Sequence, residues 1–351
     1  MRSLILFSLL VFVAEPTFGQ SFSAGGEGQG ATAPALEANV ELVRVRGLLD
    51  QSKLDEAESA VRRYTQQHPH SSDGYFLLGL TLFRRVQSMA KSSGTFLAPG
   101  EVPSGALDPK KRDATIRESL EAYTEGAKYG KPSVDDLKIV SFDFVLIGDY
   151  ASADKWLSLA VEWNSADADG WYYLGRAKYN ENRFEEAIQS FQKCLALRPR
   201  DKLAADGIGL SYEGLNRIPD AITWLQNAIS WQDDDDSQKQ SPEPYIDLGE
   251  LLTQQARFDE ALPPLQKAVA IDSRNIRAHE KLGKVFLSLN RLSEAQSEIE
   301  QSISLDPGRA APHYLLGQIY RKQGHLEKAR SELERFQLLK AKEPPVKSGM
   351  Q

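Results

Sequence analysis

The chain has 351 residues, with 42 basic and 49 acidic side chains, so its formal charge is −7 and its pI about 5.5. A hydrophobic fraction of 41% with 26% charged residues is typical of folded soluble domains and excludes both a disordered chain and a membrane protein with many spans. The acidic balance argues against nucleic acid as a partner, because binding to a phosphate backbone relies on clustered Lys and Arg. A single cysteine, Cys194, excludes a disulfide framework and any zinc or iron–sulfur site built from several cysteines.

The N-terminus has the three-part layout of a secretory signal peptide at residues 1–19. Arg2 precedes an apolar run over residues 4–14, and small residues lead to a cleavage point after Gly19 or near Ser23. The run has about eleven residues, whereas a helix that spans a bilayer needs about twenty, so a retained membrane anchor is the weaker interpretation. We predict a protein that is exported to a bacterial periplasm or secreted, with no membrane span after signal cleavage.

Large and small residues recur along the chain with a period of about 34 residues. In residues 168–201 the pattern consists of Trp171, Leu174, Gly175, Tyr179, Ala187, Phe191 and Pro199. Gly175 and Ala187 are small enough to let two antiparallel helices approach closely, while Phe191 fills the space beside them. One such unit leaves an apolar face exposed, and the next unit along the chain buries it.

This register predicts eight units of two helices each, where length alone predicts about two conventional domains. The predicted units are 38–71, 72–133, 134–167, 168–201, 202–235, 242–275, 276–309 and 310–343. A flexible lead-in at 20–37 precedes them, and a tail at 344–351 follows. The second unit contains an insert at 87–113 whose Gly and Pro residues predict a loop. Long loops are often functional, but an insert that is merely tolerated at the tip of a helical hairpin is an equal alternative.

The Leu-Gly pair, the Ala-x-x-x-Phe spacing and the closing Pro resemble the tetratricopeptide repeat (TPR) family over nearly all of the mature chain. The resemblance implies an all-α fold: a right-handed superhelical solenoid whose first helices line a concave groove. It also implies a non-enzymatic scaffold that binds a peptide or protein segment in that groove, with no cofactor. Chaperone-binding members hold a C-terminal carboxylate with Lys and Asn, but Tyr172 and Asp206 are among the residues at those positions here, so that clamp is absent.

The place of each residue in the repeat predicts which side chains line the groove. The contact residues predicted in this way are Tyr172, Tyr173, Arg176, Tyr179, Phe142, Phe83, Glu250, Lys281, Lys284 and Arg321. They form zones: apolar in the N-terminal half, then aromatic with a cation, the residue types enriched at binding hot spots. An acidic zone follows with Asp206, Glu213, Glu243, Asp247 and Glu250, and then a basic zone with Arg277, Lys281, Lys284, Arg321 and Lys322. The alternative is that the apolar zone packs between helices or lies under the insert, and that the charges form a solvated face.

Residues suited to catalysis or metal binding are few. His279 and His313 stand where Trp171 stands in another unit, which indicates packing, and Cys194 stands at a small-residue position, which predicts burial. The four carboxylates at 233–236 could attract calcium, but they lack the ligand spacing of an EF-hand, so a solvated charged insert is favoured. We therefore predict no metal and no cofactor.

Three functional hypotheses remain open. The leading one is an exported scaffold that binds a protein segment in the groove. The first alternative is an accessory protein of envelope or polysaccharide assembly, whose groove aromatics stack on sugar rings. The second is a hydrolase or transferase with a site at the 87–113 insert, which requires converging carboxylates or a His–carboxylate pair near that insert.

Overall fold

The computed structural model describes residues 33–92, 109–233 and 240–342, and within them the chain forms sixteen α-helices and no strand. In chain order these are α1 (Ala33–Asp50), α2 (Leu54–Gln67), α3 (Ser72–Ser92), α4 (Pro109–Ala127), α5 (Val134–Leu146), α6 (Tyr150–Trp163), α7 (Ala168–Asn180), α8 (Phe184–Leu197), α9 (Lys202–Gly214), α10 (Ile218–Asp233), α11 (Glu243–Gln254), α12 (Phe258–Ile271), α13 (Ile276–Ser288), α14 (Leu292–Leu305), α15 (Ala310–Lys322) and α16 (Leu326–Lys340). The predicted signal peptide, most of the lead-in and all of the tail lie outside the described residues.

The helices pack as consecutive pairs, from α1 with α2 to α15 with α16, and each pair packs on the next one along the chain. This arrangement confirms the all-α solenoid predicted from the repeat. A single array of neighbouring pairs therefore replaces the two compact domains that length alone predicts.

The odd-numbered helices form one row of the array and the even-numbered helices the other. Contacts join α1 to α3, α3 to α5, α7 to α9, α9 to α11, α11 to α13 and α13 to α15, whereas no described even-numbered helix packs comparably on another. The odd-numbered row is therefore the more closely spaced one, and the array curves around it. We call the surface of the odd-numbered helices that faces away from their even-numbered partners the inner face.

Small residues set the distance between the helices of a pair. At Gly175 in α7, an added Cβ would lie 2.7 Å from the ring of Phe191 in α8, closer than side chains tolerate. Gly249 in α11 meets Leu265 in α12 in the same way. The glycine of the Leu-Gly pair is thus the point of closest approach, as the sequence pattern predicts.

The turn inside most pairs uses a residue in the left-handed backbone region. Asn182, Asn216 and Asn290 have φ of 60°, 57° and 59°, a conformation that Asn tolerates better than most residues. In the turn after α7 the Asn182 amide donates to the carbonyl of Tyr179 at 2.9 Å, which satisfies a free carbonyl at the helix end. The next residue, Arg183, binds Glu186 in the first turn of α8.

The two ends of the predicted insert are helical rather than looped. α3 continues to Ser92 and α4 begins at Pro109, so only residues 93–108 of the 87–113 segment lie outside the described part of the chain. Val86 is fully buried and packs in one cluster with Ile116 of α4, which extends the helical pair beyond the length of a standard unit.

Candidate interaction surface

The predicted contact residues all lie on odd-numbered helices. Phe83 is on α3, Phe142 on α5, Tyr172, Tyr173, Arg176 and Tyr179 on α7, Glu250 on α11, Lys281 and Lys284 on α13, and Arg321 on α15. The structure brings some of them into contact with one another and places others in the core.

The apolar zone is largely core. Phe83 is buried and packs in a cluster with Val86, Ile116 and Leu146, with Phe142 against it. The rings of Phe83 and Phe142 stack with their centroids 6.0 Å apart. Phe83 is therefore a core residue and not a contact residue for a partner, which corresponds to the packing alternative for this zone.

The aromatic residues of α7 continue this stack towards the middle of the array. The ring of Tyr173 meets Phe142 edge-on at 4.6 Å, and Tyr172 meets Tyr173 at 5.2 Å and Phe191 at 5.9 Å. Burial raises the pKa of Tyr173 to about 12 and also raises the pKa of Tyr172, so both phenols stay protonated at neutral pH. Their rings are held by neighbours on three helices and form a rigid, partly exposed surface.

Arg176 and Tyr179 complete the α7 patch. Arg176 Nη1 donates to the Tyr172 hydroxyl at 3.5 Å, one helical turn away. Tyr179 packs edge-on against Phe184 of α8, with the ring centroids 5.6 Å apart, and remains partly exposed. Burial, followed by the charges of Glu213, Asp247 and Asp206, raises the pKa of Tyr179. Tyr179 therefore borders the acidic zone.

The acidic and basic zones meet between α11 and α13 and neutralise each other there. Arg277 Nη2 lies 2.5 Å from Asp247 Oδ1 and 2.9 Å from Glu250 Oε2, and Lys281 Nζ also binds Glu250. Burial alone would raise the pKa of Glu250, but the hydrogen bonds from Lys281 and Arg277 lower it overall. The sequence predicts two separate charged zones, whereas ion pairs join them in the structure. Lys284, Arg321 and Lys322 are exposed beyond this junction.

On the α9 side of the junction the carboxylates are less well compensated. Burial raises the pKa of Asp206 well above its ordinary value, and the charge of Asp247 adds to the effect. Burial also raises the pKa of Glu213, against a hydrogen bond from Gln254 that lowers it. The inner face from α7 to α11 thus combines aromatic rings with carboxyl groups that are poorly solvated.

A buried acid that sequence analysis missed links three helices beside the insert. Asp143 of α5 is fully buried, and its Oδ2 lies 2.6 Å from Ser119 Oγ of α4, which is 3.1 Å from the carbonyl oxygen of Gly79 in α3. Burial raises the pKa of Asp143 to about 8, although the hydrogen bond from Ser119 lowers it. Its position between Phe142 and Phe144, in the mostly apolar second half of α5, is the signal that could have identified it.

A surface cavity of about 430 Å³ lies between α2, α3 and α4, close to the ends of the insert. It is lined by carboxylates, as the enzyme hypothesis requires, but arginines bind each of them. Arg62 binds Glu58 and Glu118, and Arg85 binds Glu58 and Asp55. The charged side chains that line the cavity therefore form a network of ion pairs that joins α2, α3 and α4.

Other candidate chemical groups are packed into the structure. Cys194 is buried, and burial raises its thiol pKa to about 12, which leaves no reactive thiolate. Three or more His, Cys, Asp or Glu side chains do not converge on a possible metal position anywhere in the described residues. The carboxylates at 234–236 lie outside those residues. Within the described segments, the helices are too short or too polar to cross a membrane.

Comparison with protein families agrees with the helical pairs. A tetratricopeptide repeat model matches residues 168–201, and a second tetratricopeptide repeat model matches 42–90 and 280–341. These three segments carry the pattern of tetratricopeptide repeats. Both models fall on helical pairs described above, at the middle and at the two ends of the helical array.

Three solved structures share the fold. A tetratricopeptide repeat protein from Parabacteroides merdae ATCC 43184 is 14% identical with a TM-score of 0.60, covering 81% of this chain and 99% of its own. The APC/C hetero-tetramer Cut9-Hcn1 is 16% identical with a TM-score of 0.55, covering 89% of this chain and 55% of its own. PilW, a type IV pilus biogenesis factor, is 15% identical with a TM-score of 0.53, covering 61% of this chain and 96% of its own. No curated protein matches the sequence.

Proposed function

We propose that this chain is an exported, non-enzymatic scaffold that binds a protein segment along the inner face of its TPR array. The observation that carries the proposal is the surface of α7, where Tyr172, Arg176 and Tyr179 follow one another on one side of the helix. Tyr172 packs on Phe191 of α8 and binds Arg176, and Tyr179 packs on Phe184 of α8. Rings that are already fixed lose little conformational freedom when they bind, and aromatic residues with arginine are the usual centres of protein interfaces.

The acidic zone beside α7 favours a protein segment over a glycan. Asp206 and Glu213 have raised pKa values because burial disfavours their charged forms, so a ligand that supplies positive charge or hydrogen-bond donors gains most there. A neutral sugar ring can stack on the tyrosines and donate its hydroxyls to these carboxyl groups, but it brings no positive charge to compensate them. The charged network around Arg62 and Arg85 gives no support to a catalytic site near the insert.

Export rests on the sequence of residues 1–19. It is tested by fractionation of cells that produce the full chain, with N-terminal sequencing of the recovered protein. A mature protein that begins at Gln20 or near Ser23 outside the cytoplasm supports export, and an intact N-terminus in the cytoplasm contradicts it.

Partner binding is tested by affinity purification of the full chain and of the double variant Arg176→Glu/Tyr179→Ala. The matched control is Lys267→Glu on α12, in the even-numbered row of helices. We expect proteins that copurify with the wild type and the control to be lost from the inner-face variant, with all three chains melting cooperatively. Retention of the same partners by the inner-face variant would contradict the proposal.

A further inference from the structure

Asp206 carries a carboxylate oxygen that the fold leaves unsatisfied. Asp206 lies on α9, between α7 and α11 in the odd-numbered row of helices. Its Oδ1 atom is shielded from solvent and has no hydrogen-bond partner among the described residues. An oxygen in this position costs free energy unless a proton or a cation satisfies it. The charged groups that act on Asp206 are Asp247 and Glu243 of α11, Arg277 of α13 and Arg176 of α7.

On the next odd-numbered helix, α11, an arginine of the chain itself compensates a buried carboxylate. Asp247 of α11 is buried, and Arg277 of α13 reaches back and binds it at 2.5 Å. The same guanidinium binds Glu250, and Lys281 binds Glu250 as well. Arg277 and Lys281 of α13 therefore bind carboxylates of α11, and within the described residues Asp206 Oδ1 has no equivalent donor.

The surroundings of Asp206 suit a cation with an alkyl stem. Tyr179 of α7 lies near enough for the charges of Glu213, Asp247 and Asp206 to act on its phenol, and its ring is partly exposed. An aromatic surface binds the methylene groups of lysine or arginine and attracts the charge at their end. A carboxylate in a poorly solvated position then forms a stronger, charge-assisted hydrogen bond than one in water.

We propose that Asp206 is the recognition point for one basic side chain, a lysine ammonium or an arginine guanidinium, of the segment that binds along the inner face. The inference rests on the proposed function and names the chemistry of the partner. On binding, the cation donates to the carboxylate of Asp206, as Arg277 does to Asp247. The partner thus completes an ion-pair ladder that runs from α9 to α13.

The test uses a display library of random peptides selected on the immobilised full chain. Each selected peptide is measured by fluorescence anisotropy, and each of its lysines and arginines is replaced in turn by glutamine. The same measurements are made with Asp206→Asn, which keeps the shape of the side chain, and with the control Asp259→Asn, an exposed residue of the outer helix α12. Thermal melting of the two variants verifies that they are folded.

We expect one basic position whose loss weakens binding to the wild type and to Asp259→Asn by about 10- to 100-fold. With Asp206→Asn the same loss should change affinity by less than about threefold, since the pair is already broken. Peptides that bind the inner face without such a position, or a basic position that does not depend on Asp206, would overturn the inference and leave the proposed function standing. A failure to select any peptide would count against both.

Discussion

The ring of Phe191 in α8 lies directly against the backbone of Gly175 in α7, so close that an added Cβ would be 2.7 Å from the ring carbons. The contact links the Leu-Gly pair of one helix to the Ala-x-x-x-Phe spacing of the next. Because equivalent contacts recur along the array, the distance between paired helices depends on the absence of a side chain at this position.

Replacing Gly175 by leucine should therefore lower the free energy of unfolding by about 1–3 kcal/mol, because the larger side chain overpacks the pair. The matched control is Gly47→Leu in α1, where an added Cβ meets nothing within 4 Å. Leucine should stabilise that helix slightly, since glycine is a poor helix former. Urea unfolding measures both changes, and equal effects at the two sites would contradict the assigned packing.

The raised pKa of Asp143 predicts that the folded protein becomes less stable as the pH rises. A hydroxyl has one hydrogen, so Ser119 satisfies both of its contacts when a protonated Asp143 donates to it and it donates to the Gly79 carbonyl. The pKa of Asp143 is raised to about 8 by burial, whereas an unfolded aspartate has a pKa near 3.9. The folded state therefore holds a proton that the unfolded state lacks, and stability is lost between about pH 4 and pH 8.

Asp143→Asn should remove that loss, because the amide donates to Ser119 without a titratable proton. We expect the variant to be more stable than the wild type by more than about 1 kcal/mol at pH 8 and to differ little near pH 4. Asp135→Asn, an exposed change in the first turn of the same helix, serves as the control. A constant difference between Asp143→Asn and the wild type across this range would refute the protonated state.

The ion pair of His279 with Glu298 should also make the protein less stable as the pH rises. Its Nδ1 lies 2.6 Å from Glu298 Oε2 and its Nε2 lies 3.0 Å from the carbonyl oxygen of Ser273, so both nitrogens face acceptors and the imidazolium donates to both. The hydrogen bond to Glu298 is the largest cause that raises the pKa of His279, against a lowering by burial. Its stabilisation is full below the unfolded pKa of about 6.5 and is lost as the pH rises through the higher folded value.

Glu298→Gln should therefore cost more stability at pH 5.5 than at pH 8.5, as measured by urea unfolding of variant and wild type at each pH. Glu294→Gln on the same helix, whose partner is Arg291, should cost the same at both values. NMR titration of His279 should give a pKa above about 6.5 in the wild type. A value at or below it would contradict the ion pair.

Arg277 should be worth more to stability than its exposed position indicates, because it compensates a buried acid. Arg277→Ala leaves Asp247 without its guanidinium, and we expect a loss of about 1–3 kcal/mol in the free energy of unfolding. Asp247→Asn in the same chain should recover much of that loss, since no charge is then left buried. A double-mutant cycle with no coupling would show that the pair is not formed in solution.

The sequence period was enough to predict the helical pairs and their order, because Gly175, Phe191 and their equivalents define the contact within each unit. The inner face was predictable only as a row of positions. Phe83 turned out to be core because α3 and α4 extend into the insert and bury it beside Ile116, which a fixed repeat length cannot indicate. The ion pair between Arg277 and Asp247 joins different units and depends on how neighbouring helices pack. The sequence therefore predicts an acidic and a basic zone but does not predict that they bind each other.

The central claim, that the inner face binds a protein segment, is tested most directly by site-specific photo-crosslinking. A photoreactive phenylalanine analogue replaces Tyr179 on the inner face or, as control, the exposed Tyr129 that follows α4. The two chains are irradiated in the extracytoplasmic fraction of the source organism, and the adducts are digested and sequenced. The account predicts peptide adducts from position 179 and none from position 129. Equal adducts from both positions, or adducts at 179 that contain glycan and no peptide, would contradict it.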